Sequence, residues 1–390
     1  MRNPFSIDRG RLRGAWLAWL LMLTPLLASA DDTAASGRYQ VIGYVVDDAQ
    51  LPDIDARKLD VINFAFAKVD AGHAVFLPGD TASASLATLV ALKQANPQLR
   101  IVLSVGGWGA GNFSEAAATA EARQRFADSA ADLIAAHALD GLDIDWEYPT
   151  LPGPGISHSP ADRDNFSRLL QQIRQRLDAL GRQYGRHYLL TIAAADGEAA
   201  QGLDIATITP LLDWINLMTY DFYGSLTATT GHHASLWPSA TAPADGRSTA
   251  AAVEQYLAAG VPPDKLNVGA AFYGRLFTGV NDANNGLDQP YRTHAAFVSW
   301  RDIQSQYLDR NGFTRHWDAR AQAVYLWNPQ QRSFLTYEDP AALAAKTNFV
   351  KARGLGGVMF WQYQQDDGAL LDALRAALSD PSSPPSRGQP

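Results

Sequence analysis

Along this chain, short apolar runs alternate with longer stretches whose apolar residues recur every three or four positions. Eight runs rich in β-branched or aliphatic residues stand out, at 40–46, 61–67, 101–105, 141–146, 188–193, 214–218, 266–271 and 357–361. Between them lie helical patterns. In 162–180, Phe166, Leu169, Leu170, Ile173, Leu177 and Leu180 fall on one face of a 3.6-residue period, and the Ala-rich 121–137 reads the same way. Strand then helix, repeated, predicts a parallel sheet, and eight strands predict closure into an α/β (β/α)8 TIM barrel.

The rhythm breaks once, between Arg275 and Asp339. That stretch carries turn residues, an excess of aromatics (Tyr291, Phe297, Trp300, Tyr307, Phe313, Trp317, Tyr325, Trp327) and a hairpin pattern from Val324 to Leu335 around Asn328-Pro329. It predicts an α+β insertion subdomain at 275–339. The catalytic barrel is then expected at 31–274 and 340–378, and the Pro-, Ser- and Gly-rich 379–390 as a disordered tail.

Residues 1–30 stand outside the pattern. Arg2, Arg9, Arg11 and Arg13 precede an apolar run from Ala15 to Ala28, and Ala28-Ser29-Ala30 supplies small residues at a cleavage site. A basic head, a short apolar run broken by Pro25 and a small-residue end describe a secretory signal peptide cleaved after Ala30, which places the mature protein outside the cell or in a periplasm. No later stretch approaches a membrane span, so stable membrane insertion is not expected.

With 47% hydrophobic and 18% charged residues, the chain can bury a large core. Without Arg2, Arg9, Arg11, Arg13 and Asp8 it retains 28 basic and 39 acidic residues, a net −11. Such a balance argues against nucleic acid as a partner, since phosphate binding calls for clustered Lys and Arg. The absence of cysteine excludes disulfides and thiolate metal sites. A monomer is expected.

The candidate chemistry lies in Asp140-Gly-Leu-Asp-Ile-Asp-Trp-Glu-Tyr-Pro149. On a strand, Asp143, Asp145 and Glu147 share one face while Leu142, Ile144 and Trp146 share the other. The apolar face would meet the helices and the acidic face the barrel interior, with carboxyls about 7 Å apart along the strand. Such crowding away from water raises at least one pKa, as a general acid working near neutral pH requires. An EF-hand is excluded, because counting from Asp143 puts Tyr148 where the loop needs glycine. A hard-cation site on the three acids stays open at this point. His232 and His233 lack a metal-binding context and read as part of a solvated loop.

The segment DGLDIDWEYP resembles the DxxDxDxE signature of glycoside hydrolase family 18, the chitinases and their relatives. Ser104-Val-Gly-Gly107 resembles the family's SxGG, Met218-Thr-Tyr-Asp221 its sixth-strand motif, and Trp361 its eighth-strand tryptophan. The resemblance implies that Glu147 protonates the glycosidic oxygen and that Asp145 holds the substrate's 2-acetamido group. It implies further that Asp143 shares a proton with Asp145 and that Tyr220 and Asp221 hydrogen-bond the acetamido group. The acetamido oxygen would then be the nucleophile. Trp361 would floor the cleaved sugar, and Tyr44, Phe64, Gly106, Gly107, Trp108, Tyr148, Met218, Tyr273 and Arg275 would line the cleft. No cofactor and no metal are implied, and the partner is chitin or chitooligosaccharides. An endo-β-N-acetylglucosaminidase acting on glycoproteins and an inactive chitin-binding lectin are the alternatives on the same barrel.

Overall fold

The computed structural model describes residues 39–48, 50–242 and 246–379. The expected signal peptide and most of the expected C-terminal tail lie outside the described residues.

Eight parallel strands close into a barrel: β1 (Gln40–Val46), β2 (Val61–Val69), β3 (Arg100–Gly106), β4 (Gly141–Asp145), β5 (Leu189–Ala194), β6 (Trp214–Leu217), β7 (Leu266–Ala271) and, after a long excursion, β13 (Gly357–Trp361). They pair in chain order, and β13 closes the ring against β1 through Gln40 opposite Gly357 to Gly43 opposite Phe360. All eight apolar runs are therefore strands, with ends within a residue or two of expectation. The helix Asp162–Tyr184 buries Phe166, Leu169, Leu170, Ile173, Leu177 and Leu180, as its periodicity predicted. It carries acids in its first turn, Arg182 in its last, and ends at Gly185 with a φ of 67°. Thr119 caps the helix Ala120–Ala136 by accepting from the Ala122 N–H.

Period-2 alternation divides the strand residues between two cores. Outward residues such as Leu103, Leu142, Ile144, Ile192, Leu217 and Phe360 pack under the helices. Inward residues such as Ile42, Tyr44, Val102, Trp214, Ala271 and Met359 fill the barrel. Trp146 continues the outward file, stacked on Phe113 at 5.4 Å and edge-on to Phe166.

The excursion after β7 is a five-stranded antiparallel sheet in the order β9-β8-β12-β11-β10, built from β8 (Tyr273–Thr278), β9 (Thr293–Ser299), β10 (Thr314–Asp318), β11 (Ala323–Asn328) and β12 (Ser333–Tyr337). The hairpin expected around Asn328-Pro329 is β11 against β12. This sheet begins at Tyr273, earlier than 275, with only Phe272 between it and β7. Tyr273 and Arg275 thus belong to its first strand and not to the end of a barrel strand.

Candidate active site

The acidic file runs from the depth of the barrel to its mouth. Asp143 is fully buried and its carboxylate accepts three hydroxyl hydrogen bonds, from Tyr44 (2.8 Å), Ser104 (2.8 Å) and Thr191 (2.6 Å). Burial nevertheless pushes its pKa above the ordinary carboxylate value, with the hydroxyl donors pulling against the rise. Asp145, one pleat further out, is also buried, and its Oδ1 has no hydrogen-bond partner among the described residues. Its pKa is raised well above the usual range by burial and by the neighbouring charges of Glu147 and Asp143, with Lys68 opposing. Glu147 follows the strand end, partly exposed. Burial, with a contribution from Asp221, raises its pKa to about 7. A carboxyl with that value is protonated in a useful fraction of molecules at neutral pH.

A second group faces this file from β6 and β8. Asp221 adopts a left-handed φ of 58°, which aspartate tolerates better than most residues. Its Oδ1 accepts from the Tyr273 hydroxyl (2.7 Å) and from Arg275 Nε (2.5 Å), with His233 Nδ1 at 3.6 Å. Burial would raise the Asp221 pKa, but His233 and Arg275 outweigh it and hold the carboxylate well below the usual range. Tyr220 is buried, its ring edge-on to Tyr273 and its hydroxyl 3.7 Å from Met359 sulfur. Met218 packs beside it in the inner cluster.

Aromatic rings and glycines shape the mouth. Trp361 stacks on Phe66 at 5.6 Å and leans on Tyr44 at 5.7 Å. Phe64 does not join them: it is 0% exposed and lies in the outer core under the helices. A register shift between Ala65 and Ala67 in the β2–β3 ladder adds a residue to β2, so that Ala65 and Phe66 both reach the inner cluster. Gly106 has a φ of 129°, and a Cβ there would lie 2.0 Å from the Asp145 carbonyl oxygen. At Gly107 a Cβ would strike the Phe66 ring at 2.5 Å. Trp108 stands 59% exposed, edge-on to Tyr148.

Several contributors escape the sequence reading. Lys68 donates to the Gly106 carbonyl at 2.6 Å, lies 5.2 Å from the Phe66 ring centroid and pulls down the pKa of both Asp145 and Glu147. Arg247 bonds the buried Asp196 and reaches the Asp221 carbonyl. His232 and His233 are not solvated: both are buried, His232 against Asp318 and His233 against Asp221 and Tyr273. Their loop packs on the antiparallel sheet, where the His233 N–H bonds Thr336. Among the described residues no cluster of His, Asp and Glu is arranged to hold a metal ion. The hydroxyl donors on both Asp143 oxygens also argue against a cation there.

A parallel barrel whose mouth joins a titratable carboxyl to a buried carboxyl file and an aromatic floor is the architecture of a barrel glycoside hydrolase. The chain belongs to glycosyl hydrolases family 18, whose sequence profile matches residues 40–366. It is 35% identical to Chitinase A1 of Niallia circulans, over 92% of this chain and 61% of that one. It is 32% identical to Chitinase B of Serratia marcescens, over 82% of this chain and 76% of that one. Among solved structures, the family 18 N-acetylglucosaminidase of Paenibacillus barengoltzii superposes with a TM-score of 0.82 at 41% identity, covering 87% of this chain and 99% of that one. The chain spans 61% of Chitinase A1 and 66% of Chitinase 1 of Aphanocladium album, so it is shorter than either curated relative.

Proposed function

We propose that this protein is an exported, monomeric chitinase that hydrolyses β-1,4 linkages between N-acetylglucosamine units with retention of configuration. The observation that carries the reading is the pairing of Glu147, its pKa raised to about 7, with Asp145, a buried carboxyl whose Oδ1 has no partner among the described residues. Glu147 gives its proton to the glycosidic oxygen as the bond to the anomeric carbon breaks. The substrate's own acetamido oxygen closes on that carbon, giving an oxazolinium ion. Asp145 accepts the acetamido N–H and balances the positive charge, while Asp143 shares its proton inward. Tyr220 donates its hydroxyl proton to the acetamido oxygen and holds it for attack, and Asp221, which as a carboxylate can only accept, stands beside the same group. Water, deprotonated by Glu147, then opens the ring on the same face. Trp361, with Phe66 behind it, floors the sugar, and Tyr44, Trp108, Tyr148, Met218, Tyr273 and Arg275 complete the cleft.

Substrate assistance makes the N-acetyl group obligatory. Chitohexaose should be cleaved, whereas cellulose and fully deacetylated chitosan, with the same linkage, should be inert. Hydrolysis of either at a rate comparable to chitin would overturn the mechanism. The likeness to the Paenibacillus barengoltzii enzyme over nearly all of that chain favours one second reading, an N-acetylglucosaminidase. Mass analysis of early chitohexaose products separates the two: stepwise monomer release supports the second, dimers and trimers the first. Release of glycan from a high-mannose glycoprotein would instead indicate the endo-acting glycoprotein enzyme, and binding without turnover the lectin.

A further inference from the structure

Lys346 and Glu338 form an ion pair at 2.9 Å with both side chains 1% exposed. Nothing in the proposed chemistry uses either. Two charges withdrawn from water are costly, and such a pair is weak evidence for stability, so its bonds to the backbone are the informative part. Lys346 donates to the carbonyls of Gly269 (2.8 Å) and Thr219 (3.3 Å), and Glu338 accepts from the Ala271 N–H (2.6 Å).

Two of those positions, Thr219 and Ala271, are where the two arms of the Asp221 group leave the barrel, and Gly269 lies between them within β7. The β6–β7 ladder ends at Leu217 opposite Val268, short of Tyr220 and Asp221. Beyond it the strands are joined by a side chain: Thr219 Oγ1 donates to the Gly269 carbonyl and accepts from the Gly269 N–H, both at 2.8 Å. Lys346 adds its ammonium to the carbonyls on each side of that join. On the other arm, Ala271 leads through Phe272 to Tyr273 and Arg275, the donors on Asp221 Oδ1.

We infer that Glu338 and Lys346 are a positioning pair that fixes the Tyr220–Asp221 arm relative to the Tyr273–Arg275 arm, and so sets the geometry in which the substrate's acetamido group is held. The inference rests on the proposed function, because it assigns the pair's effect to that group. Glu338 directly follows β12, and Lys346 sits on the helix Pro340–Arg353.

The test compares wild type with Glu338→Gln/Lys346→Met, which removes both charges together and leaves no lone buried ion. Turnover of chitohexaose is measured well below the unfolding temperature of each variant. The double variant is expected to lose on the order of tenfold in kcat, with KM changed less than about twofold, since displaced groups near the reacting centre cost rate before affinity. In an Asp221→Asn background the same double change should cost less than about twofold, because residues acting through one group are not additive. A purely structural pair would give the same loss in both backgrounds, or none once the folded fraction is equal, and either result overturns the inference. Backbone amide exchange across 218–222 should accelerate in the variant, a readout independent of activity, and unchanged exchange also counts against the pair. If the double variant does not fold, Glu338→Gln/Lys346→Gln, which also removes both charges but keeps an amide donor at position 346, is read by the same two measurements. An inert wild type would remove the proposed function, while faster exchange at 218–222 would still show the pair holding this arm.

Discussion

The two sides of the cleft each present a carboxyl that burial pushes toward the neutral form, yet they end at opposite states. On the β4 side Glu147 stands beside acids and, among the described residues, has no arginine partner, so burial outweighs the Tyr148 hydrogen bond and Lys68, and its pKa rises to about 7. Across the cleft, Asp221 is gripped by Arg275, Tyr273 and His233, and the partners win. Burial sets the size of the available shift, and the neighbours set its sign. The two sides also differ in where they come from. The β4 side is five strand residues and two more, local in sequence. The Asp221 side is assembled from β6, the loop carrying His233, and the first strand of the antiparallel sheet.

The largest break in this contrast is Glu147→Gln, which keeps shape but has no proton to give. It should lower kcat by roughly 100- to 10,000-fold while leaving oligosaccharide binding near that of wild type, and near-native turnover in steady-state assays would remove Glu147 from its role. Asp221→Asn should cost roughly 100-fold in kcat, comparable to removing one fixed polar group at a reacting centre.

The pH profile sharpens the same comparison. The rate of the free enzyme should fall as pH rises through about 7 and Glu147 loses its proton. In Asp221→Asn that limb should move to lower pH, because Asp221's charge helps to raise the Glu147 pKa. Stability obeys opposite signs. Glu147, raised on folding, contributes most below its unfolded value of 4.5 and loses that contribution as pH climbs toward about 7. Asp221, lowered on folding, contributes above its unfolded value of 3.8 and loses this as pH falls. The Tm gap between wild type and Asp221→Asn should therefore narrow in acid.

Phe64 and Phe66 provide a finer pair. Phe64→Ala should cost about 3–5 kcal/mol of stability as a core cavity, with KM unaffected while the protein remains folded. Phe66→Ala should do the reverse, raising KM by removing the ring behind Trp361 with a smaller drop in Tm. The smallest effect is expected from Tyr44→Phe. It removes one of three donors to Asp143, worth about 1 kcal/mol, or roughly fivefold in kcat if that carboxyl tunes its neighbour.

These pairs also mark what the sequence discloses. Period-2 alternation was enough to turn Asp143 inward and Trp146 outward, and eight apolar runs were enough for the closed barrel. Alternation itself sets Phe64 outward with Ile62; what no hydrophobic pattern reports is the bulge after Ala65, which turns Phe66 inward. Alternation also could not reach partnerships formed across long separations. His233 and Asp221 are twelve residues apart in an irregular loop, and Lys346 meets the carbonyl of Thr219 across 127 positions. A lone lysine in a strand such as Lys68 looks like an edge charge until the fold sets it beside two acids. Buried histidines are hidden for the same reason: polarity predicts exposure unless a partner is known.

One residue, Phe272, separates β7 from β8. Its N–H bonds the Trp361 carbonyl at 2.8 Å, its own carbonyl accepts from the Trp300 N–H at 3.0 Å, and its ring stacks on Phe360 at 4.2 Å. For recombination between homologues, this makes the antiparallel sheet a poor cassette. Exchanging the sheet alone, with crossovers at Phe272 and just after Glu338, would replace Tyr273, Arg275 and Glu338 while leaving behind Asp221, Thr219 and Lys346, and so would split each partnership between two parental histories. Chimaeras should tolerate crossovers on the outer helices far better than at this junction, and lineages of such proteins should inherit the sheet together with the barrel strands it leans on.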